Sequence, residues 1–268
     1  MRRRRRGASD APDFPWWLVA IGVLIGGSYV VIALDDGARQ VLSTLRRGLW
    51  ITVLVTATAF AGACLIGLGV ALMAVSGSRV ARQLARFYTE LLRGIPILVL
   101  LLYVAFVLVP GLVAGWNWVA DATGLPMART RDFPLLWRAV LALVLAYSSF
   151  IAEVFRAGLE SVDEGQIEAA EALGLSRGRI FRHIVLPQAF RTILPPLGND
   201  LVAMVKDSSL VSVVGVLDIA QLGKVTAAGN FRYFETYNVV TLLYLTMTVA
   251  LSLALRRLER RLDARQSQ

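Results

Sequence analysis

Few residues of this chain could do covalent chemistry, and their surroundings argue against it. His183 is the sole histidine and Cys64 the sole cysteine. A Ser-His-Asp relay would have to use His183, which lies among Arg177, Arg179 and Arg182. A polar surface or core residue is the plainer reading, and without a Cys or His cluster no dedicated metal site is written here. Gly223-Lys224 is a fragment of a phosphate-binding loop, which needs a glycine five residues earlier and Ser or Thr straight after the lysine. Asp218 and Val225 stand there instead. The chain thus has no means of holding ATP itself, and Cys64, inside an apolar run, reads as a packed thiol.

Two other groups of polar residues remain. Asn199, Lys206, Asp207, Ser208 and Ser209 lie in or beside an apolar stretch. Charges at membrane depth are costly and either line a path or pair with one another. Lys206-Asp207 reads as a mutually neutralising pair at an outer gate, with a substrate-contact role equally open. The second group is the segment EAAEALGLSRGRIFRHIVLP at 168–187, charged and alanine-rich between long hydrophobic runs.

The elements that position these residues are set by hydropathy. The chain has 268 residues, 56% hydrophobic and 18% charged, with a mean hydropathy of +0.62. Its apolar residues come in unbroken blocks at 16–34, 48–75, 94–113, 136–157 and 236–257. Each is close to the ~20 residues a helix needs to cross a hydrocarbon core of about 30 Å. A sixth block, 186–205, is interrupted by prolines and by Asn199 and Asp200. The expectation is an all-α polytopic membrane protein with about six spans. The formal charge of +9 and the run Arg2–Arg6 could suggest nucleic acid, but position argues otherwise. With six spans, 19 of the 28 Lys and Arg residues fall on the side holding both termini. By the positive-inside rule the termini are cytoplasmic, and nucleic-acid binding is remote. The first block lacks a convincing cleavage site and reads as a retained anchor.

Along the chain this gives a basic cytoplasmic N-terminus (1–15), a first span and linker (16–47), a main transmembrane region (48–257) and a basic cytoplasmic tail (258–268). Gly62, Gly67 and Gly69 suit close helix packing in lipid. Segment 76–93 is amphipathic and basic, and Pro96 kinks or starts the next span. Residues 111–135 are expected as an outside loop, with Trp116 and Trp118 in an interfacial belt. Glu153 and Arg156 pair locally or snorkel, and 211–220 is apolar enough for a short re-entrant or interfacial helix.

Segment 158–185 lies on the cytoplasmic side. Ser161 to Glu164 suit a helix start, Gly174 a left-handed stop, and Ser176 the cap of a second short helix. Ala169 and Ala170 present almost no side chain, so a partner groove can close on the backbone. Glu168 and Glu171, one turn apart, can face partner arginines. The pattern Glu168-Ala169-Ala170, Gly174, then Ile184-Val185-Leu186-Pro187 resembles the EAA loop in the membrane subunits of binding-protein-dependent ABC importers. FYTELLRGIPILVLL (87–101), AYSSFIAEVFRAGLESVDEGQ (146–166) and LPQAFRTILPPLGNDLVAMVKDSSLVSVVGV (186–216) are similar to the polar amino-acid permeases in particular.

The resemblance covers about 48–257 and implies a type I ABC importer permease fold. There a five-helix core suffices, so the first span is an added anchor, and the 111–135 loop is long for the family. It further implies a non-catalytic pore subunit in a prokaryotic plasma (inner) membrane. Two cytoplasmic ATP-binding subunits would hold ATP and Mg. A second permease subunit, the same chain or a paralogue, would complete the pore, and an extracytoplasmic amino-acid-binding protein would deliver substrate. Glu168, Ala169, Ala170, Gly174, Ile184, Leu186 and Pro187 would then couple the ATPase to the pore. A self-contained secondary transporter is the alternative, though that class carries ionisable residues in several spans or in repeated halves.

Overall fold

The computed structural model describes residues 16–264, all helices and connecting turns; the basic run Arg2–Arg6 and the last residues of the tail lie outside them. Helix α1 (Trp16–Leu34) is apolar on every side, and Ile32 is its buried residue. A helix with no polar face belongs in lipid. Asp35 then caps α2 (Asp36–Ala74), its carboxylate accepting from the Ala38 N–H at 3.0 Å. That bond and a second from the Gly37 N–H hold the Asp35 carboxyl below the usual carboxylate range. The expected linker at 35–47 is therefore helical and forms the first turns of α2. With 39 residues α2 is about 58 Å long, so its charged start projects beyond the bilayer core.

Helix α2 buries a stripe running Ala38, Val41, Leu45, Gly48, Thr52, Val55, Ala59, Ala63, Gly67 and Val70, the three-and-four spacing of one helix face. Small residues bring α6 (Leu135–Glu160) against it. A Cβ at Gly62 would stand 2.8 Å from Val144, and one at Gly67 3.1 Å from the Ser148 carbonyl. Helix α3 (Arg79–Arg93), capped by Ser78, is the expected amphipathic basic segment.

Residues 97–123 form one helical run: α4 (Ile97–Tyr103), a π turn (Val104–Leu108) and α5 (Val109–Thr123). Pro96 starts it. The π turn ends just ahead of Pro110, whose ring and missing N–H an unbroken α ladder would not accommodate. The loop expected at 111–135 is consequently shorter, because residues 111–123 stay helical until Gly124 closes α5 at φ 73°. The remaining loop is clasped. Asn117 exchanges two bonds with the Ala128 backbone (2.8 and 2.9 Å), Trp116 donates to the Pro126 carbonyl, and buried Arg138 donates to the Phe133, Ala105 and Thr130 carbonyls.

Among the described residues, five helical runs are long and apolar enough to cross a membrane: 16–34, 36–74, 97–123, 135–160 and 233–261. The sixth, α9 (Leu186–Asp207), is a continuous 22-residue helix with Pro195 and Pro196 inside it, packed against α6 and α11 (Tyr233–Ala264). Its six charged or amide side chains lower its hydropathy, but its length of about 33 Å equals that of the bilayer core. Arg256 of α11 lies over the Trp17 ring of α1, and the Tyr29 and Thr246 hydroxyls meet at 3.3 Å. The two helices thus run antiparallel, and the chain enters and leaves the bundle at one end.

Candidate functional site: the elbow and the mid-bundle charges

At the end of the bundle that holds the termini, α6 leads through Ser161 into α7 (Glu164–Ala172). Glu and Ala favour this short helix, and Asp163 sits at its N-cap without a side-chain bond. Its closure is complete: Leu175 N–H donates to the Ala170 carbonyl and Gly174 N–H to that of Glu171. With Gly174 at φ 75°, this is the paired-bond stop that consumes orphan carbonyls and needs a residue without Cβ strain. A Cβ on Gly174 would meet no atom within 4 Å. The position therefore demands glycine for its backbone angle and not for space.

After the elbow the chain departs from the expected second short helix. Helix α8 (Arg177–Ile180) passes through a π turn (Phe181–Val185) straight into α9. Again the π turn stops just short of a proline, Pro187, so the EAA elbow is joined without a loop to a transmembrane helix. His183 contacts the Arg179 carbonyl at 3.0 Å on this helix's exposed side.

The elbow is braced to both neighbouring helices. Gln188 of α9 donates to Gln166 of α7 at 2.8 Å, and Ser161 reaches Thr192 of α9 at 3.2 Å. Val162 and Ile180 are buried beneath it. Gly158 of α6 packs against Ile193 and the Ala189 carbonyl of α9. Arg156 bridges Glu153 and Glu160, each at 2.6 Å. These pairs are partly exposed, so they fix geometry more than they add stability. Together with Arg86, Glu90 and Arg93 of α3 they line a polar cleft of about 480 Å³ beside the elbow.

Glu168, Ala169 and Glu171 face outward as expected, but Ala170 is buried against its own chain. Ile184 is half-buried, whereas Leu186 and Pro187 are exposed. The outermost apolar group is one the sequence reading passed over: Leu173 is 82% exposed. Its signal was its position, the last residue before the glycine stop, where the turn holds the side chain out beside Glu168 and Glu171.

The second group lies along the latter half of α9 and just past its end. Gly198 of α9 packs on Leu255 of α11, which places Lys206 and Asp207 about 12 Å further toward the opposite end. They do not pair. Asp207 accepts from the Tyr147 hydroxyl of α6 at 2.8 Å, while Lys206 turns into a groove beside α1 and α11. Adjacent residues on a helix point about 100° apart, so an i,i+1 ion pair has no shared face. Ser208 is fully buried with its hydroxyl on the Val205 carbonyl, Ser209 is half-buried, and Asn199 is exposed. Asp200, beside Asn199, has one buried oxygen without a hydrogen-bond partner.

Further along, the expected helix at 211–220 is a three-ten turn (Ser208–Val214) closed by Gly215 at φ 87°. A helix, α10 (Ile219–Asn230), follows only when Asp218 caps it. Asp218 is fully buried and accepts from the Gln221 N–H (2.8 Å) and the Tyr244 hydroxyl (3.0 Å). Gly223 lies inside α10, where a Cβ would stand 2.5 Å from Val240. Gly223 therefore packs helices, while Lys224 is exposed.

A membrane bundle carrying one protruding, glycine-stopped elbow defines a transport-system membrane component, and residues 63–268 match the family of binding-protein-dependent transport system inner membrane components. The chain belongs to that family and is a multi-pass inner-membrane protein. It is 37% identical to the glutamine transport system permease protein GlnP of Escherichia coli (strain K12), over 85% of this chain and 92% of that one. It is 34% identical to the probable glutamine ABC transporter permease protein GlnM of Bacillus subtilis (strain 168), over 81% and 92%. A crystal structure of an amino acid ABC transporter with histidines superposes with a TM-score of 0.68 at 33% identity, covering 82% of this chain and 94% of that one. The inward-facing MetNI methionine ABC transporter shares the fold, with a TM-score of 0.63 at 22% identity, over 85% and 99% of the two chains.

Proposed function

We propose that this chain is the pore-forming permease subunit of an ATP-driven importer of polar amino acids, fed by a binding protein. The observation that carries this reading is the elbow: a glycine-stopped helix with exposed Glu168, Ala169, Glu171 and Leu173, bonded to α9 and joined to α6 by a three-residue turn. Such an element transmits a push instead of absorbing it. The relatives named for glutamine transport, and the amino acid transporter of like fold, support the substrate class.

In this reading the chain itself is non-catalytic. Two cytoplasmic ATP-binding subunits hold ATP and Mg and receive the elbow, with Leu173 entering an apolar recess and Glu168 and Glu171 facing basic groups. A second permease subunit, a copy or a paralogue, completes the pore, both termini are cytoplasmic, and a binding protein docks at the opposite end. Closure of the ATPase pair would draw the two elbows together. Because α8 runs into α9 without a loop, that displacement reaches Asn199, Asp200, Asp207 and Ser208 directly, and these line the path or its gate with Tyr147.

The test is to isolate the tagged chain in mild detergent beside its Glu168→Arg, Gly174→Val variant and identify what accompanies each. An ATP-binding subunit with the native chain and absent from the variant supports the reading. A well-folded chain without one in either case, with uptake following an ion gradient, would favour a secondary transporter.

A further inference from the structure

Helix α1 lies outside the core that the family model matches, and it creates a groove that the core alone would not have. The groove holds about 210 Å³ between α1, α9 and α11. Val202, Val249 and Leu253 supply its apolar wall, and Lys206 and Arg256 are its charged residues, with no carboxylate among the lining side chains. Arg256 lies 5.2 Å from the centre of the Trp17 ring, which closes the groove at the end near the termini.

Depth decides what such a groove can hold. Arg256 is 23 residues beyond Tyr233 on α11, about 35 Å along the axis and so near headgroup level on the side of the termini. Tryptophan is enriched at that level. Lys206 lines the same groove about 12 Å deeper, and a lysine stem can carry its ammonium several ångström toward a surface. Lys206 and Arg256 thus both border one apolar-walled groove that opens past an all-apolar helix. We propose that this groove binds an anionic phospholipid of the leaflet facing the termini. Its phosphate sits between Lys206 and Arg256 and its chain lies along Val202, Val249 and Leu253. Helix α1 thus serves as one wall of a lipid site. This goes beyond the transport reading and does not depend on the substrate.

The full chain would be delipidated in detergent and titrated with phosphatidylglycerol or phosphatidylcholine, with bound lipid counted by native mass spectrometry. The native chain is expected to retain one phosphatidylglycerol more tightly than any phosphatidylcholine, and salt should weaken the preference. Lys206→Gln, Arg256→Gln should weaken it roughly 30-fold, at about fivefold per basic group. Lys206→Arg, Arg256→Lys should keep it. Equal binding of the two lipids by the native chain would overturn the proposal, and that measurement requires no variant. So would a double-Gln variant that loses self-association while its lipid binding is unchanged, because the groove would then be a contact between copies.

Discussion

Two glycines hold nearly the same left-handed backbone angle at opposite ends of the bundle, and their surroundings could hardly differ more. Gly215 (φ 87°) lies between Val214 and Val216, each 5% exposed, and leads to the fully buried Asp218. Gly174 (φ 75°) follows Leu173, which is 82% exposed. On its inner side the first turn is sealed by its own chain, although Val213 and Leu217 on its outer side are 52% and 57% exposed. The second turn belongs to an elbow whose Glu168, Ala169, Glu171 and Leu173 all face outward. A turn pinned to its own bundle serves the fold, and an elbow with these four residues exposed leaves a face for contact with something else.

The sharpest way to break the comparison is to damage the sealed turn. A Cβ at Gly48 of α2 would stand 2.6 to 2.8 Å from the backbone of Asp218 and Ile219. Backbone cannot swing aside as a side chain can, so Gly48→Val is expected to cost at least about 3 kcal/mol and to abolish a stable bundle. Retention of a native melting transition in detergent would show that the outer turn is not pinned there. Asp218→Ala should rank next. It removes a helix cap and takes the carboxylate from the half-buried Tyr244 hydroxyl, a combined cost of about 2 to 3 kcal/mol. Asp218→Asn should recover part of that loss.

At the exposed turn the same severity of change should spare folding and stop transport. Gly174→Val places a β-branched residue in the left-handed region, at about 1 to 2 kcal/mol of strain, with no clash. Membrane insertion and melting should stay close to native while ATP-driven uptake falls at least tenfold. Gly174→Asn, which tolerates this angle, should fall less. If both variants take up substrate normally, the elbow does not transmit force.

Most of this architecture was legible because it rests on length and hydropathy. The blocks at 16–34 and 236–257 became α1 and most of α11, and Ser78, Pro96, Gly174 and Ser176 mark the boundaries that their backbone chemistry dictates. What could not be read were features set by tertiary partners. The segment 111–135, expected as a loop, is mostly helix because two polar residues of α5, Trp116 and Asn117, find the following backbone to bond. Nothing local to Lys206-Asp207 says that a tyrosine 60 residues earlier takes the carboxylate. The π turns escaped as well. A proline signals a broken ladder, but it does not say whether the chain will stop, as at Pro96, or widen and continue, as before Pro110 and Pro187.

That continuation gives the finest test of how the two ends communicate. If the elbow acts through α9, its brace should matter to timing more than to folding. Gln188→Ala removes the bond to Gln166 in α7 and should cost only about 1 kcal/mol of stability, since both groups remain near solvent. Uptake should drop two- to threefold while ATP hydrolysis by the assembled transporter holds or rises, the mark of a slackened linkage. Tyr147→Phe, which removes the mid-bundle bond to Asp207, should lower uptake without changing that ratio of ATP hydrolysed to substrate moved. If Gln188→Ala leaves the ratio native, force reaches the bundle through α6 alone and the brace to α9 only holds the elbow in place.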